Sequence, residues 1–104
     1  MPMPLIRARV GHLQGSTFPL GDQQVVIGRD PSSDIALNPE SAASRRHAAV
    51  FQQDGRWRIQ DLGSVNGIRI NGQYCRVHQL AAGDTIELAD YTLTCIESNT
   101  GRVT

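Results

Sequence analysis

The sequence predicts an all-β protein, a β-sandwich of two mainly antiparallel sheets. Short apolar runs, alternating or β-branched, recur about every eight to twelve residues and are separated by Gly, Pro, Asn and Asp. No segment sustains the three-and-four spacing of an amphipathic helix over about eleven residues. The dipeptides Asp54-Gly55 and Asn71-Gly72 are typical of tight turns between antiparallel strands. Together these features favour a sandwich over a helical or mixed fold.

The first half of the chain contains four strand patterns. Residues 5–10 alternate between apolar and basic side chains, as expected for a strand with one exposed face. The runs 17–20 and 25–27 follow, and a glycine comes directly after each. Residues 30–34 combine proline, serine and aspartate, which favours a turn before the short run 35–37.

The second half contains five further strand patterns, and most of them are separated by turn residues. The last two are joined by a tight Ala89-Asp90 connection. The five patterns are 47–52, 57–62, 68–70, 85–88 and 91–96. From both halves, the residues predicted to face the core are Val26, Ile35, Leu37, Ala48, Val50, Trp57, Ile59, Leu62, Ile70, Ile86, Leu88, Leu93 and Cys95.

The length of the chain fits one domain. A chain of 104 residues buries roughly 60 to 70% of its unfolded surface, without needing disulfides or metals. We expect residues 1–104 to form that single domain, with a core over about 5–97 and a frayed polar tail over 98–104. The N-terminus has neither a signal peptide nor a membrane-spanning run, so a cytoplasmic protein is expected.

Charge and cysteine content exclude several classes of function. Ten basic residues balance ten acidic ones, so a general binder of nucleic acid or membrane surfaces is not expected. All ten basic residues are arginines, which genome composition can explain. Cys75 and Cys95 lack the short paired spacing of metal or redox sites, so we expect free thiols, no metal and no cofactor.

Three polar motifs each follow or precede a strand pattern. They are Gly28-Arg29, Ser44-Arg45-Arg46-His47 and Ser64-Val65-Asn66-Gly67. Loops at the ends of strands are where a rigid scaffold presents side chains to a ligand. The motifs therefore predict a local binding site built from three loops.

The ordered set of motifs resembles the forkhead-associated (FHA) domain. The matching segments are GR at 28–29, SDIAL at 33–37, SRRHA at 44–48, DLGSVNG at 61–67 and ING at 70–72. The resemblance implies an eleven-stranded β-sandwich that is not an enzyme. It also implies a monomer whose loops bind a phosphothreonine peptide of a protein partner, a mode of recognition that relies on arginine clusters.

The resemblance assigns the phosphate to Arg29, Ser44 and Arg45. A phosphothreonine carries about −1.5 to −2 charges and three strong acceptor oxygens, which suits arginine forks and a short hydroxyl donor. Arg29 is instead a surface arginine beside Asp30 or Asp34 if the resemblance fails, and Ser44 a turn cap. Arg46 is predicted to point to the opposite face, as the next residue of a strand does.

The remaining site residues are implied to hold the peptide and the loops. Asn66 would bind the peptide main chain through its amide, or else be a turn asparagine with positive φ. His47 would brace the loops by hydrogen bonds, with phosphate contact or metal ligation as the alternatives. Gly28 and Gly67 would give the backbone room and unusual dihedral angles.

Two positions depart from the family pattern. Many relatives have threonine or serine at position 65, whereas Val65 can offer a phosphate only its backbone N–H. Some relatives have a peptide-selecting arginine at position 42, where this chain has Ala42. Lower affinity and an open sequence preference around the phosphothreonine are expected.

Two alternative functions remain at this point. The first is an interaction domain of the same fold that binds its partner without phosphate. The second is a small hydrolase using Ser44, His47 and Asp61. No Gly-x-Ser-x-Gly motif is present, and Ser44 and His47 are expected to project to opposite faces of a strand.

Overall fold

The computed structural model describes residues 3–10, 15–21 and 23–98 of the chain, and these form strands, turns and loops without a helix. No helix long and apolar enough to cross a membrane occurs among them. The strands are β1 (Met3–Val10), β2 (Thr17–Pro19), β3 (Val25–Gly28), β4 (Ile35–Ala36), β5 (Ala48–Gln53), β6 (Arg56–Asp61), β7 (Ile68–Ile70), β8 (Gln73–Cys75), β9 (Val77–Gln79), β10 (Thr85–Leu88) and β11 (Tyr91–Ser98).

These strands form two sheets, which confirms the predicted β-sandwich. The six-stranded sheet has the order β2-β1-β11-β10-β7-β8, and the five-stranded sheet has the order β4-β3-β5-β6-β9. Neighbouring strands in both sheets are antiparallel except β3 and β4, where Ile27 pairs with Ile35 in parallel. The loops that carry the three polar motifs connect strands of this framework.

Apolar side chains from both sheets meet between them and form one core. Ile6, Ile86 and Leu93 of the six-stranded sheet are fully buried, as are Ile27 and Ile59 of the five-stranded sheet. Each is a large aliphatic residue on the inward face of its strand, where burial contributes about 1.5 to 3 kcal/mol per side chain. The remaining members of the core are Leu20, Ile35, Leu37, Ala43, Ala48, Val50, Ile68, Ile70, Leu80, Leu88, Tyr91 and Cys95.

Three predicted core residues are only half-buried. Val26 is half-buried and Ile27 faces the core instead, because an unbroken apolar run does not show which face is inward. Trp57 packs against the core from its margin. Leu62 lies just after β6 ends and is also half-buried.

Two hairpins form where turn dipeptides predict them. Asp54 and Gly55 have φ angles of 55° and 77°, and Asn71 and Gly72 have φ angles of 53° and 88°. Two consecutive left-handed residues match the twist of antiparallel strands, which is why Asp-Gly and Asn-Gly are favoured there. The tight Ala89-Asp90 connection is also confirmed, with Ala89 at a φ of 54°.

The sequence interpretation missed β8 and β9. Both are three-residue edge strands with mostly exposed side chains, so their apolar alternation is weak. The predicted tail is too long by one residue, because β11 extends to Ser98. Residues 99–104 lie outside the described part of the chain. Cys75 is half-buried and Cys95 is buried.

Asp84 forms a buried polar network far from the three motifs. Its carboxylate accepts hydrogen bonds from the Asn71 side chain, from His78 Nε2 and from the Ala81 N–H. Burial raises the pKa of Asp84, but these hydrogen bonds outweigh it, and the pKa lies below its usual value. Asp84 precedes β10, whereas the three motifs lie at the other end of the sandwich.

The end of β3 lies against the loop that contains Arg45. A Cβ atom on Gly28 would be 2.0 Å from the Arg45 carbonyl oxygen and 3.0 Å from the Arg46 Cα. Hydrogen bonds on both sides hold this contact, from Asp30 N–H to the Arg45 carbonyl at 3.1 Å and from His47 N–H to the Ile27 carbonyl at 2.8 Å. Only glycine therefore fits at position 28.

The substitution Gly28→Ala is expected to lower the free energy of unfolding by about 3 kcal/mol or more, because backbone must move to accept the methyl group. Gly21→Ala is the matched control, since a Cβ there has nothing within 4 Å. It should change stability by less than about 0.5 kcal/mol. Urea unfolding of both variants measures the difference, and equal stability of the two would contradict the steric account.

Candidate functional site

Arg29 is the first residue after β3 and is oriented by main-chain carbonyls. Its own N–H donates to the Ser44 carbonyl at 3.1 Å. Its side-chain Nε donates to the Ala43 carbonyl at 2.8 Å. Neither terminal nitrogen of the guanidinium has a hydrogen-bond partner among residues 3–10, 15–21 and 23–98. The half-buried Arg29 side chain is therefore held in place through Nε. Its two terminal nitrogens remain able to donate hydrogen bonds to a ligand.

Ser44 is held by Val65 in the loop between β6 and β7. The Val65 N–H donates to Ser44 Oγ at 3.0 Å. Since the hydroxyl oxygen accepts this bond, its hydrogen remains available to donate. The Val65 N–H, which was expected to donate directly to a phosphate, thus donates to Ser44 instead. Val65 itself is 88% exposed.

His47 links the loop before β5 to the β6–β7 loop by hydrogen bonds. Its ring is fully buried. Nδ1 accepts a hydrogen bond from the Ser44 N–H at 3.1 Å, and Nε2 lies 2.7 Å from the Gly67 carbonyl oxygen. Because Nδ1 accepts, the proton is assigned to Nε2, which donates to Gly67. Both ring nitrogens are thus used by the main chain.

The geometry around Ser44 and His47 does not favour a hydrolase. The expectation that Ser44 and His47 project to opposite faces of a strand is wrong, because neither lies in a strand and residues 45 and 46 between them form a bend. Ser44 and His47 meet through the Ser44 main-chain N–H and not through its hydroxyl. The Asp61 carboxylate accepts from the Ser64 hydroxyl and N–H, so no Ser-His-Asp chain of hydrogen bonds forms.

Asn66 lies on the exposed surface of the β6–β7 loop. Its side-chain Nδ2 donates to the Ala42 carbonyl at 2.9 Å, which joins this loop to the loop before β5. Asn66 is not among the residues with positive φ, so the interpretation as a left-handed turn residue is wrong. Gly67 has the positive φ instead, at 73°. The amide oxygen of Asn66 remains able to accept a hydrogen bond.

Arg45 and Arg46 are both exposed beside Arg29 and Ser44. The prediction that Arg46 lies on the opposite face of a strand is wrong, since neither residue is in a strand. Two hydrogen bonds from Ser32 lower the pKa of Asp30, and the positive charges of Arg45 and Arg46 lower it further. Arg45 and Arg46 thus add two positive charges to the loop that contains Ser44, with the Asp30 carboxylate near both.

Sequence reasoning missed the contacts that support the loop before β5. The Ser41 hydroxyl donates to the Asp90 carboxylate and accepts from the Ala43 N–H at 3.0 Å. The Tyr91 hydroxyl oxygen accepts from the Asn38 N–H at 2.8 Å. Ala43 in turn supplies the carbonyl that orients Arg29. A chain of hydrogen bonds thus connects the β10–β11 turn to Arg29.

The β6–β7 loop is closed in a similar way. The Ser64 hydroxyl donates to the Asp61 carboxylate and accepts from the Gly67 N–H at 2.9 Å. This fold of the loop presents the Val65 N–H to Ser44. The three predicted motifs therefore meet at one end of the sandwich, where each loop is bonded to the next.

Comparison with protein families gives an independent view of the chain. The model of the FHA domain matches residues 25–89, which is more than half of the chain. The chain belongs to the FHA domain family. FHA domains recognise phosphorylated motifs through arginine clusters.

Two curated relatives are regulators of metabolism by name. An oxoglutarate dehydrogenase inhibitor from Corynebacterium diphtheriae is 36% identical over 83 residues, which cover 80% of this chain and 57% of the relative. The glycogen accumulation regulator GarA from Mycolicibacterium smegmatis is 34% identical over 89 residues, which cover 86% and 56% of the two chains. This chain spans a little over half the length of these two relatives.

A solved FHA domain is also similar in structure. It was characterised for phosphothreonine-dependent FHA domain interactions, and it has a TM-score of 0.81 and 28% sequence identity to this chain. The match covers 90% of this chain and 95% of the other. The fold and the family are thus shown by separate comparisons.

The substitution Ser41→Ala is expected to loosen the loop before β5, because the Ala43 N–H loses its acceptor and Asp90 loses a donor. Loss of about 1 to 2 kcal/mol of local stability should speed amide exchange at Ala43 about fivefold to thirtyfold. Ser33→Ala is the matched control, since Ser33 Oγ is buried and makes no hydrogen bond. Hydrogen exchange measured by NMR checks both variants, and unchanged exchange at Ala43 in Ser41→Ala would contradict this support.

Proposed function

We propose that this chain binds proteins phosphorylated on threonine and recruits or regulates them through the loop end of its sandwich. The observation that carries the proposal is the pairing of Arg29 with Ser44. The Arg29 guanidinium is anchored through Nε, and the Ser44 hydroxyl is anchored through its oxygen. Each therefore keeps further donors, which suit a phosphate with three acceptor oxygens.

Each residue has a distinct role in this proposal. Arg29 supplies charge and a planar pair of donors, Ser44 donates its hydroxyl, and exposed Arg45 adds positive charge or a backbone donor. Val65 acts through Ser44, whose hydroxyl it orients. Asn66 accepts a hydrogen bond from the main chain of the peptide through its amide oxygen.

Gly28, His47 and Gly67 support the site without touching the peptide. Gly28 permits close contact of β3 with the Arg45 main chain. His47 ties Ser44 to Gly67. Because these contacts hold the loops before a ligand arrives, less conformational entropy is lost on binding. Three or four charge-assisted hydrogen bonds, offset by that cost, correspond to micromolar affinity, or about −7 to −8 kcal/mol.

The partner is proposed to be a protein that a Ser/Thr kinase phosphorylates. The names of the two relatives, an inhibitor and a regulator, are consistent with a protein that acts by binding others. We further propose that the chain works as a monomeric binding module in the cytoplasm, without catalysis or a cofactor. The use of both His47 nitrogens by main-chain groups supports binding over hydrolysis.

The substitution Arg29→Ala is expected to weaken binding of a phosphothreonine peptide by about 2 to 4 kcal/mol, because a charged partner of the phosphate is lost. Calorimetry of the best peptide from a degenerate phosphothreonine library measures this loss. The same peptide with unmodified threonine should not bind detectably. Arg29→Lys should lie between the wild type and Arg29→Ala, since it keeps the charge but loses the fork.

Arg56→Ala is the matched control for Arg29→Ala. Arg56 is an exposed arginine beside the Asp54-Gly55 turn, at the other end of β6 from the site. Its removal should leave affinity unchanged. Equal binding of the phosphorylated and unmodified peptides, retained in a folded Arg29→Ala variant, would refute the proposal and favour a phosphate-independent interaction domain.

A further inference from the structure

A polar groove lies directly beside the proposed peptide site. It has a volume of about 250 Å³ and is lined by Asn66, Gly67, Arg69, Tyr74, Glu87 and Ala89. Asn66 and Gly67 belong to the β6–β7 loop, so the groove and the peptide site share a wall. A peptide whose main chain is held by Asn66 therefore passes the mouth of the groove.

Three side chains form a row across the floor of the groove. Glu87 of β10 pairs with Arg69 of β7, and Arg69 pairs with Tyr74 of β8. Ile68 and Ile70, on either side of Arg69, are buried in the core, so Arg69 lies on the outer face of the six-stranded sheet. The register of the sheet thus places an acid, a base and an aromatic ring side by side.

Tyr74, at one end of this row, is exposed at 71% of its surface. A Cβ atom on Gly67 would lie 3.4 Å from Tyr74 Cδ1, so the ring lies against the β6–β7 loop. The Arg69 guanidinium carbon is 5.5 Å from the centre of the ring, within the range of a cation–π contact. The ring therefore restrains Arg69 beside the loop that carries Asn66.

Arg69 makes only weak polar contacts with Glu87 and Gly72. Arg69 Nε is 3.7 Å from Glu87 Oε1 and makes no hydrogen bond. Its Nη2 reaches the Gly72 carbonyl only at 3.5 Å, the limit for a hydrogen bond. The side chains of Arg69 and Glu87 are 43% and 39% exposed, so solvent screens their attraction. The end of the guanidinium remains suited to a carboxylate, which it can bind with two parallel hydrogen bonds.

We propose that this groove selects an acidic side chain, aspartate or glutamate, that flanks the phosphothreonine in the bound peptide. The inference rests on the proposed function, because Asn66 must hold the peptide beside the groove. Arg69 binds the carboxylate, and Tyr74 limits the directions from which it can enter. The negative charge of Glu87 repels the carboxylate of the peptide. It therefore weakens the preference for an acidic side chain without abolishing it. Arg69 would thus give this chain a selectivity that Ala42 cannot provide.

Calorimetry with a panel of phosphothreonine peptides tests the inference on the full chain. Each position flanking the phosphothreonine is in turn aspartate, alanine or lysine. At one position, aspartate is expected to bind about threefold to tenfold more tightly than alanine, as a partly exposed charged hydrogen bond allows. Lysine at that position is expected to bind more weakly than alanine.

Substitutions in the groove then identify its residues. Arg69→Ala should reduce the aspartate-to-alanine ratio to about one, while the affinity for the alanine peptide is kept. Arg69→Glu should reverse the preference toward lysine. Glu87→Gln should increase the aspartate preference, because it removes the opposing charge. Arg56→Ala, away from the groove, should change none of these ratios.

The outcomes separate the inference from the proposed function. Three outcomes would overturn the inference about the groove and leave the proposed function standing. In each of them binding depends on the phosphate, but aspartate is not preferred, lysine is preferred, or the aspartate preference survives Arg69→Ala. A decrease in aspartate preference in Glu87→Gln would also overturn it. If even the alanine peptide does not bind the folded wild-type chain in its phosphorylated form, the proposed function and the groove both fail.

Discussion

The candidate site depends on a close main-chain contact between the end of β3 and the loop before β5. Gly28 permits this contact, since a Cβ atom would be 2.0 Å from the Arg45 carbonyl oxygen. The N–H groups of Arg29 and Asp30 donate to the Ser44 and Arg45 carbonyls, both at 3.1 Å. Two segments that lie fifteen residues apart in the sequence are thereby joined, and Arg29 comes to lie beside Ser44.

Main-chain groups hold the side chains of the site in place. Ala43 orients the Arg29 guanidinium, Val65 orients the Ser44 hydroxyl, and His47 joins the loops of both. A dianion is bound well only where donors converge without reorganisation, because ordering flexible side chains costs free energy. The polar groups that support these loops are therefore as important to the proposed function as the groups that face the ligand.

The sequence predicted features that depend on local chemistry, and not those that depend on distant contacts. The Asp54-Gly55 hairpin was predictable because its left-handed turn favours those residues. The contact of Ser44 with His47 was not predictable, because it requires a bend at residues 45 and 46, where the sequence carries no turn dipeptide. The bond from Ser41 to Asp90 spans 49 residues and involves no motif. The edge strands β8 and β9 were missed because exposed side chains leave little apolar alternation.

The central claim is that the loop end of the sandwich binds phosphate on threonine. An NMR titration of the labelled chain with a phosphothreonine peptide, and with the same peptide unmodified, tests it most directly. The account predicts that only the phosphorylated peptide shifts the amide signals of Arg29, Ser44 and Asn66, while those of the Asp54-Gly55 turn stay unchanged. Shifts that do not require the phosphate, or shifts confined to the other end of the sandwich, would contradict it.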